Sequence, residues 1–454
     1  MSAATTTPQA ASDPGVASPV SGRQRLGSLD LLRGVAVLGI LVMNIYAFAM
    51  PFPAYMNPYA MGGDEPWNLG TWVLTHLFFD QKFMSIFSML FGAGIVLMMN
   101  RAEARSARFG RLFYRRQFWL LLLGMLHAYL LWIGDILFYY ALIGMLVYPF
   151  RKAAPGKLIA WGSLLLLVPL AINYATSYYV EEMISESAEL EALEARGEEL
   201  SEAQAESLEQ WRASRPFLAP TDEDIEADLE AYGRGYVEIV EYRAPQVLGM
   251  HLQATPFFML WRIGGLMLIG MALMKLGVFS GARSESFYRR LAATGYALGL
   301  PLAAISAWQF FVNGFDPVYT MRVGNLPNYI GSVLVALGHI GVLLLVAKSG
   351  ALRALRSRFE AVGRTALSNY LLHSIVMTSV FYGYGLGLYG ELPRLVQMLP
   401  VVLLIAAQLA LSPWWLSKYR FGPVEHLWRS LSYWRWQPMR RPRAGSGHGG
   451  PSTR

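Results

Sequence analysis

Two histidines in this chain stand at short spacing from a carboxylate. His76 and Asp80 are four residues apart, so they share one side of a helix, and Gln81 and Lys82 follow before a long apolar run. His127 and Asp135 are separated by Trp132 and Gly134, a composition that suits a tight turn. A histidine oriented by an acid is a general base suited to neutral pH, so these four residues are the candidate catalytic set. Each has a plainer reading. His76 also suits an interfacial ring among aromatic neighbours, and Asp135 suits an N-cap.

A second group of residues suits binding. Ionisable groups inside apolar runs are costly and mark sites. Asp30 and Arg33 are three apart and can pair. Asn44 lies 11 residues beyond Arg33, about three turns and roughly 16 Å higher on nearly the same face. Arg262 could hold an anionic group, while Asn369 and His373 are one turn apart and could line a polar path. Anchoring ion pairs and interhelical hydrogen bonds are the plainer alternatives. Near the C-terminus, Glu425 and Arg429 are spaced to pair on an interfacial helix.

The elements that must carry these residues are membrane helices. Of 454 residues, 54% are hydrophobic and only 15% charged, against roughly 25% charged in soluble domains. Apolar runs approaching the roughly 20 residues needed to cross a bilayer must satisfy their backbone internally, which predicts helices. Spans are expected at about 29–50, 77–99, 113–132, 134–150, 157–178, 252–277, 290–312, 329–347, 365–382 and 395–416. The basic residues fall in alternate connections: Arg23 and Arg25, then Arg101 to Arg116 (with Arg105 and Arg108 between), then Arg151 to Lys157, Lys275 to Arg290, Lys348 to Arg364, and Lys418 to Arg443. That alternation predicts both termini in the cytoplasm. It also explains the net charge of +7 without nucleic acid.

The expected organisation is a disordered tail over 1–28 and a first membrane half over 29–179. An extracytoplasmic insertion over 180–248 follows, then a second membrane half over 249–416 and a basic tail over 417–454. The insertion holds 19 acidic residues and five arginines, a net charge of −14, while Asp64 and Glu65 lie in an earlier outer connection. It reads as a solvated feature, with Leu190–Leu208 as a polar helical stretch. The chain has no cysteine, which removes thiolate and disulfide chemistry. No phosphate loop, dinucleotide fingerprint, zinc-protease or nucleophile-elbow motif is present, and no metal site is expected.

Several segments together resemble the YeiB-like family of bacterial membrane proteins, catalogued as domain of unknown function 418. They are LDLLRGVAVLGILVMNI from Leu29, KFMSIFSMLFGAG from Lys82, LHAYLLWIGDILFYYAL from Leu126, RIGGLMLIGMAL from Arg262, GRTALSNYLLHS from Gly363 and FGPVEHLWRSL from Phe421. The family is also distantly similar to multi-span acyltransferases, including the heparan-glucosaminide N-acetyltransferase type, which share the start seen at Asp30, Arg33 and Gly34. Many O-acyltransferases of this kind carry a His where this chain has Asn44. The heparan type keeps an Asn there and uses an outer-face His, for which His76 is the nearest counterpart.

The resemblance implies a bacterial plasma-membrane acyltransferase. An acyl-CoA donor would be held by Arg33 and the Arg101–Arg116 cluster, and His76 or His127 would activate an outer lipid, glycan or small-molecule acceptor. The alternative is a transporter or exporter of a small metabolite or lipid, with a path through Arg33, Asn44, Arg262, Asn369 and His373. A third reading is a scaffold acting through the acidic insertion.

Overall fold

The computed structural model describes residues 27–63, 65–104 and 109–441. Arg23, Arg25, Asp64, Arg105, Arg108, Arg443 and nearly all of the expected tail over 1–28 lie outside them. The chain is an all-α membrane protein, with no strand among the described residues. Helix α1 covers Gly27–Ala49, α2 Pro66–Phe78, α3 Lys82–Glu103, α4 Gly110–Leu130 and α5 Leu137–Val147. Helix α6 is Pro155–Ala195, α7 Glu202–Leu218, α8 Asp222–Tyr232, α9 Tyr236–Gly249 and α10 Leu260–Lys275. Then come α11 (Glu285–Val312), α12 (Leu326–Ser349), α13 (Arg353–Arg364), α14 (Ala366–Phe381), α15 (Arg394–Lys418) and α16 (Pro423–Tyr433).

Each expected span lies on a helix, and seven described helical stretches are long and apolar enough to cross a bilayer. Three expected spans fall short of that measure. Helix α4 carries Arg111, Arg115 and Arg116 in its first turns. Helix α5 has 11 residues, a length of roughly 16 Å, and continues only as a short 3-10 turn. Helix α14 has 16 residues. The ends of α2 and α3 are joined by a sharp turn with Gln81 at φ 61°, so His76 and Asp80 do not sit on one unbroken helix.

Helix α1 runs through the core and touches its neighbours without side-chain spacers. A Cβ on Gly34 would stand 1.9 Å from the carbonyl oxygen of Phe359, and one on Gly363 would stand 1.8 Å from that of Asp30. Only glycine at both places lets α1 cross the end of α13 this closely, which is how small residues drive helix packing in lipid. Helices α3 and α10 cross in the same way at Gly92 and Gly270.

The acidic insertion departs from a purely solvated loop. The helical stretch expected over 190–208 breaks after Ala195, where Gly197 adopts φ 76°, and α7 folds back to form a small cluster of Leu190, Leu208 and Trp211. Its last part joins the main core through Tyr232 and Ile239.

Candidate functional site

His127 lies in the last turn of α4, and Asp135 stands in the short connection that leads into α5. Asp135 uses both oxygens. One is 2.7 Å from Nδ1 of His127, and the other accepts the backbone N–H of Phe138 at 2.7 Å, capping α5. The other ring nitrogen of His127, Nε2, is 2.7 Å from the hydroxyl of Ser374 on α14. All three side chains are buried. A carboxylate only accepts, so the proton on the His127–Asp135 bond resides on Nδ1 and leaves Nε2 as the basic nitrogen. The ring is flanked by Trp132 and by Tyr370, whose centroid is 5.1 Å away.

Beside this network runs a cavity of about 310 Å³ between α1, α3, α4, α5, α13, α14 and α16. Its polar end is lined by Arg33, Arg101, Arg116, Arg364 and Arg429, against two carboxylates, Asp30 and Glu425. Val37, Ile40, Phe87, Leu90, Phe91, Ile136, Leu137 and Tyr370 line its apolar wall. The 3-4-3 spacing of Asp30, Arg33, Val37 and Ile40 keeps them on one stripe of α1, a run of roughly 15 Å along the axis. Asn44 is the next position on that stripe and is half-buried.

Asp30 and Arg33 form their expected pair at 3.2 Å, with the Arg33 side chain 31% exposed. Glu425 accepts the first backbone N–H groups of α14, from Leu367 and Ser368, and the Ser368 hydroxyl. On the same helix, Trp428 donates to the carbonyl of Arg116 and stacks under its guanidinium at 4.1 Å. These contacts hold the interfacial helix α16 beneath the polar end.

His76 and Asp80 sit in a different network. They approach to 3.6 Å, beyond hydrogen-bonding distance. The Asp80 carboxylate accepts instead from Asn328 at 2.7 Å and from the Tyr55 hydroxyl at 3.2 Å. Lys82 donates to the His76 carbonyl and to Asn328, both at 2.6 Å. The His76 ring stacks on Trp72 at 5.0 Å, and its Nε2 has no hydrogen-bond partner. Among the described residues, no hydrogen bond or ring contact joins His76 to His127.

The remaining candidates also separate. Arg262 is buried between α3 and α12, donating to Ser85, Ser332 and the carbonyl of Tyr329. Asn369 and His373 join α14 to α15: Asn369 donates to Ser412, and His373 meets Gln408 at 2.8 Å. Sequence reasoning missed Ser374, Tyr370, Arg364 and Gln117, the last a buried side chain on the cavity wall with an unpartnered oxygen. The available signal was the run His373-Ser374 one turn after Tyr370, but it does not say which of the adjacent polar residues faces α4.

Fold and site together define a multi-span helical membrane protein with an arginine-lined cavity beside a buried Ser-His-Asp network. The family described as "Protein of unknown function (DUF418)" matches residues 273–435. "Uncharacterized protein YeiB" of Escherichia coli (strain K12) is 33% identical over 90% of this chain and 96% of its own length. "Uncharacterized protein YxaH" of Bacillus subtilis (strain 168) is 30% identical over 93% of this chain and 97% of its own. The chain belongs to this YeiB-like DUF418 family. No solved structure matches it.

Proposed function

We propose that the protein transfers an acyl group from an acyl-CoA to an acceptor across a bacterial plasma membrane, with His127 as general base and Asp135 as its orienting partner. One observation supports this above the others: a single cavity joins an arginine-lined polar end to Tyr370 and Ile136, the immediate neighbours of His127 and Asp135. Arginine forks suit the phosphates of a CoA head group. The positive-inside pattern of the sequence supports a cytoplasmic side for that end, where the donor is made. The apolar wall of the cavity suits the thioester arm. His76 is less suited to the role, because its ring is stacked and held apart from Asp80. The residues of the exporter path occupy three separate packing environments, which favours acyl transfer over that alternative.

Calorimetry on purified protein in nanodiscs tests the reading. Acetyl-CoA and a long-chain acyl-CoA serve as probes. Arg33→Ala and Arg116→Ala are expected to weaken binding at least tenfold, as the loss of a charge-assisted contact would. His127→Ala and Asp135→Asn should bind normally and lose release of CoA. Absence of acyl-CoA binding by the native protein would rule the function out.

A further inference from the structure

We propose that Ser374 is the nucleophile of this site, so that the acyl group passes through an ester on its Oγ before it reaches the acceptor. The inference rests on the acyl-transfer reading and adds a covalent step to it. The geometry is that of an activated hydroxyl: Oγ is 2.7 Å from Nε2 of His127, and Nδ1 of the same ring is 2.7 Å from Asp135. A nucleophile, a base and an orienting acid within hydrogen-bond reach form the arrangement that lowers the barrier to attack by a hydroxyl.

A mid-helix serine ordinarily returns its hydroxyl to the carbonyl one turn back. Ser85, Ser88, Thr378 and Ser379 do so here, on Gln81, Met84, Ser374 and Ile375. The Ser374 hydroxyl is instead turned onto a base 247 residues away in the sequence. Tyr370 is one turn before Ser374 on the same face of α14, lines the cavity, and lies against His127. Its hydroxyl is held at 3.3 Å by the Gly134 carbonyl and the Ile136 N–H. Tyr370 thus touches both the cavity and the ring whose Nε2 meets the Ser374 hydroxyl.

The chemistry balances with the residues present. In the first half-reaction, Oγ bonds to the thioester carbonyl carbon as its proton passes to Nε2 of His127. The C–S bond breaks, and the departing sulfur takes that proton and leaves as free thiol. In the second, the acceptor hydroxyl or amine gives its proton to Nε2 and bonds to the acyl carbon. The C–Oγ bond then breaks, and Ser374 recovers the proton. The acyl group and the sulfur end of the donor's arm have to reach past Tyr370, while the donor's charged head stays among the arginines.

The test uses the full-length protein in nanodiscs with acetyl-CoA or the long-chain acyl-CoA and no acceptor. An acyl adduct on the peptide bearing Ser374, up to one equivalent of released CoA, and exchange of labelled CoA into the acyl-CoA pool are expected. Ser374→Ala should bind acyl-CoA as before and lose all three. Ser374→Cys should carry the acyl group as a thioester cleaved by neutral hydroxylamine, whereas the native oxygen ester resists it. A merely structural serine would not produce that change in adduct chemistry, so this variant decides the matter if Ser374→Ala fails to fold. Native protein that binds acyl-CoA without adduct or exchange overturns Ser374 as nucleophile and leaves direct transfer by His127. Continued exchange by Ser374→Ala overturns it equally. No binding at all overturns acyl transfer and the nucleophile together.

Discussion

At the residue scale, position in the sequence reveals half of the His127 network and hides the other half. His127 and Asp135 are legible because they are close in the chain and flank a turn, and the structure gives Asp135 both the cap and the histidine contact. Ser374 is hidden because nothing local marks it; only the fold brings α14 within side-chain reach of α4. Glu425 shows the same limitation. Its spacing suggests a pair with Arg429, yet its carboxylate takes up the N-terminal donors of α14, 57 and 58 residues earlier. That placement has a pH signature. Burial raises the Glu425 carboxyl above its ordinary value of 4.5, and the donors from Ser368 and Leu367 offset part of the rise. The folded state thus favours the protonated form. The stabilisation is complete below pH 4.5 and is lost as pH rises through the raised value. Glu425→Gln keeps the shape and removes the titration. The Tm of the native protein relative to this variant should therefore decline as pH rises from 4.5 toward neutrality. A Tm difference that stays flat with pH would show that Glu425 does not titrate in the fold.

At the element scale, helix placement was readable because a bilayer leaves the backbone no other choice, and every expected span is found on a helix. What hydropathy could not give was length and continuity. Helix α4 is diluted by Arg111, Arg115 and Arg116, the last of which lines the cavity, and these charges lower the signal that would mark it as a span. The crossings were less legible still, since a glycine inside an apolar run looks alike whether it faces lipid or a neighbouring backbone. The Gly34–Gly363 contact sets the distance between α1 and α13, and with it the spacing of Arg33 and Arg364 at the cavity's polar end. Gly34→Ala would place a methyl group against the backbone of Phe359, where no side chain can yield. Overpacking of this kind costs about 1–3 kcal/mol. The expected result is a Tm several degrees lower and weaker acyl-CoA binding, measured on one sample. An unchanged Tm would show that the two helices can part without cost.

At the scale of the whole molecule, the acidic insertion is built in two parts that its composition does not separate. The hairpin of α6 and α7 has its own small cluster and exposed charge pairs such as Arg212 with Glu194. The later part is built into the bundle. Tyr232 stacks on Tyr389 at 4.6 Å, and its carbonyl accepts the N–H of Gly383. Arg243, buried on α9, donates at 2.9 Å to the carbonyls of Leu131 and Tyr129. Those carbonyls belong to the C-terminal end of α4, the same turn that presents His127. A cation at a helix C-terminus satisfies exposed acceptors and meets the negative end of the helix dipole. The insertion is thus held against the turn that presents His127 by Arg243 and by the Tyr236 hydroxyl, which donates to the Leu130 carbonyl at 2.8 Å. Replacing residues 197–218 with a short Gly/Ser linker should leave Tm and CoA release close to native. Arg243→Ala leaves buried carbonyls without a donor, a loss of about 1–3 kcal/mol, and loosens the turn that holds His127. Its Tm should fall, and CoA release should fall further than the remaining folded fraction explains, while acyl-CoA binding at the distant arginines is retained. The reverse pattern, with the linker variant inactive and Arg243→Ala near native, would place the insertion's role in its acidic surface instead.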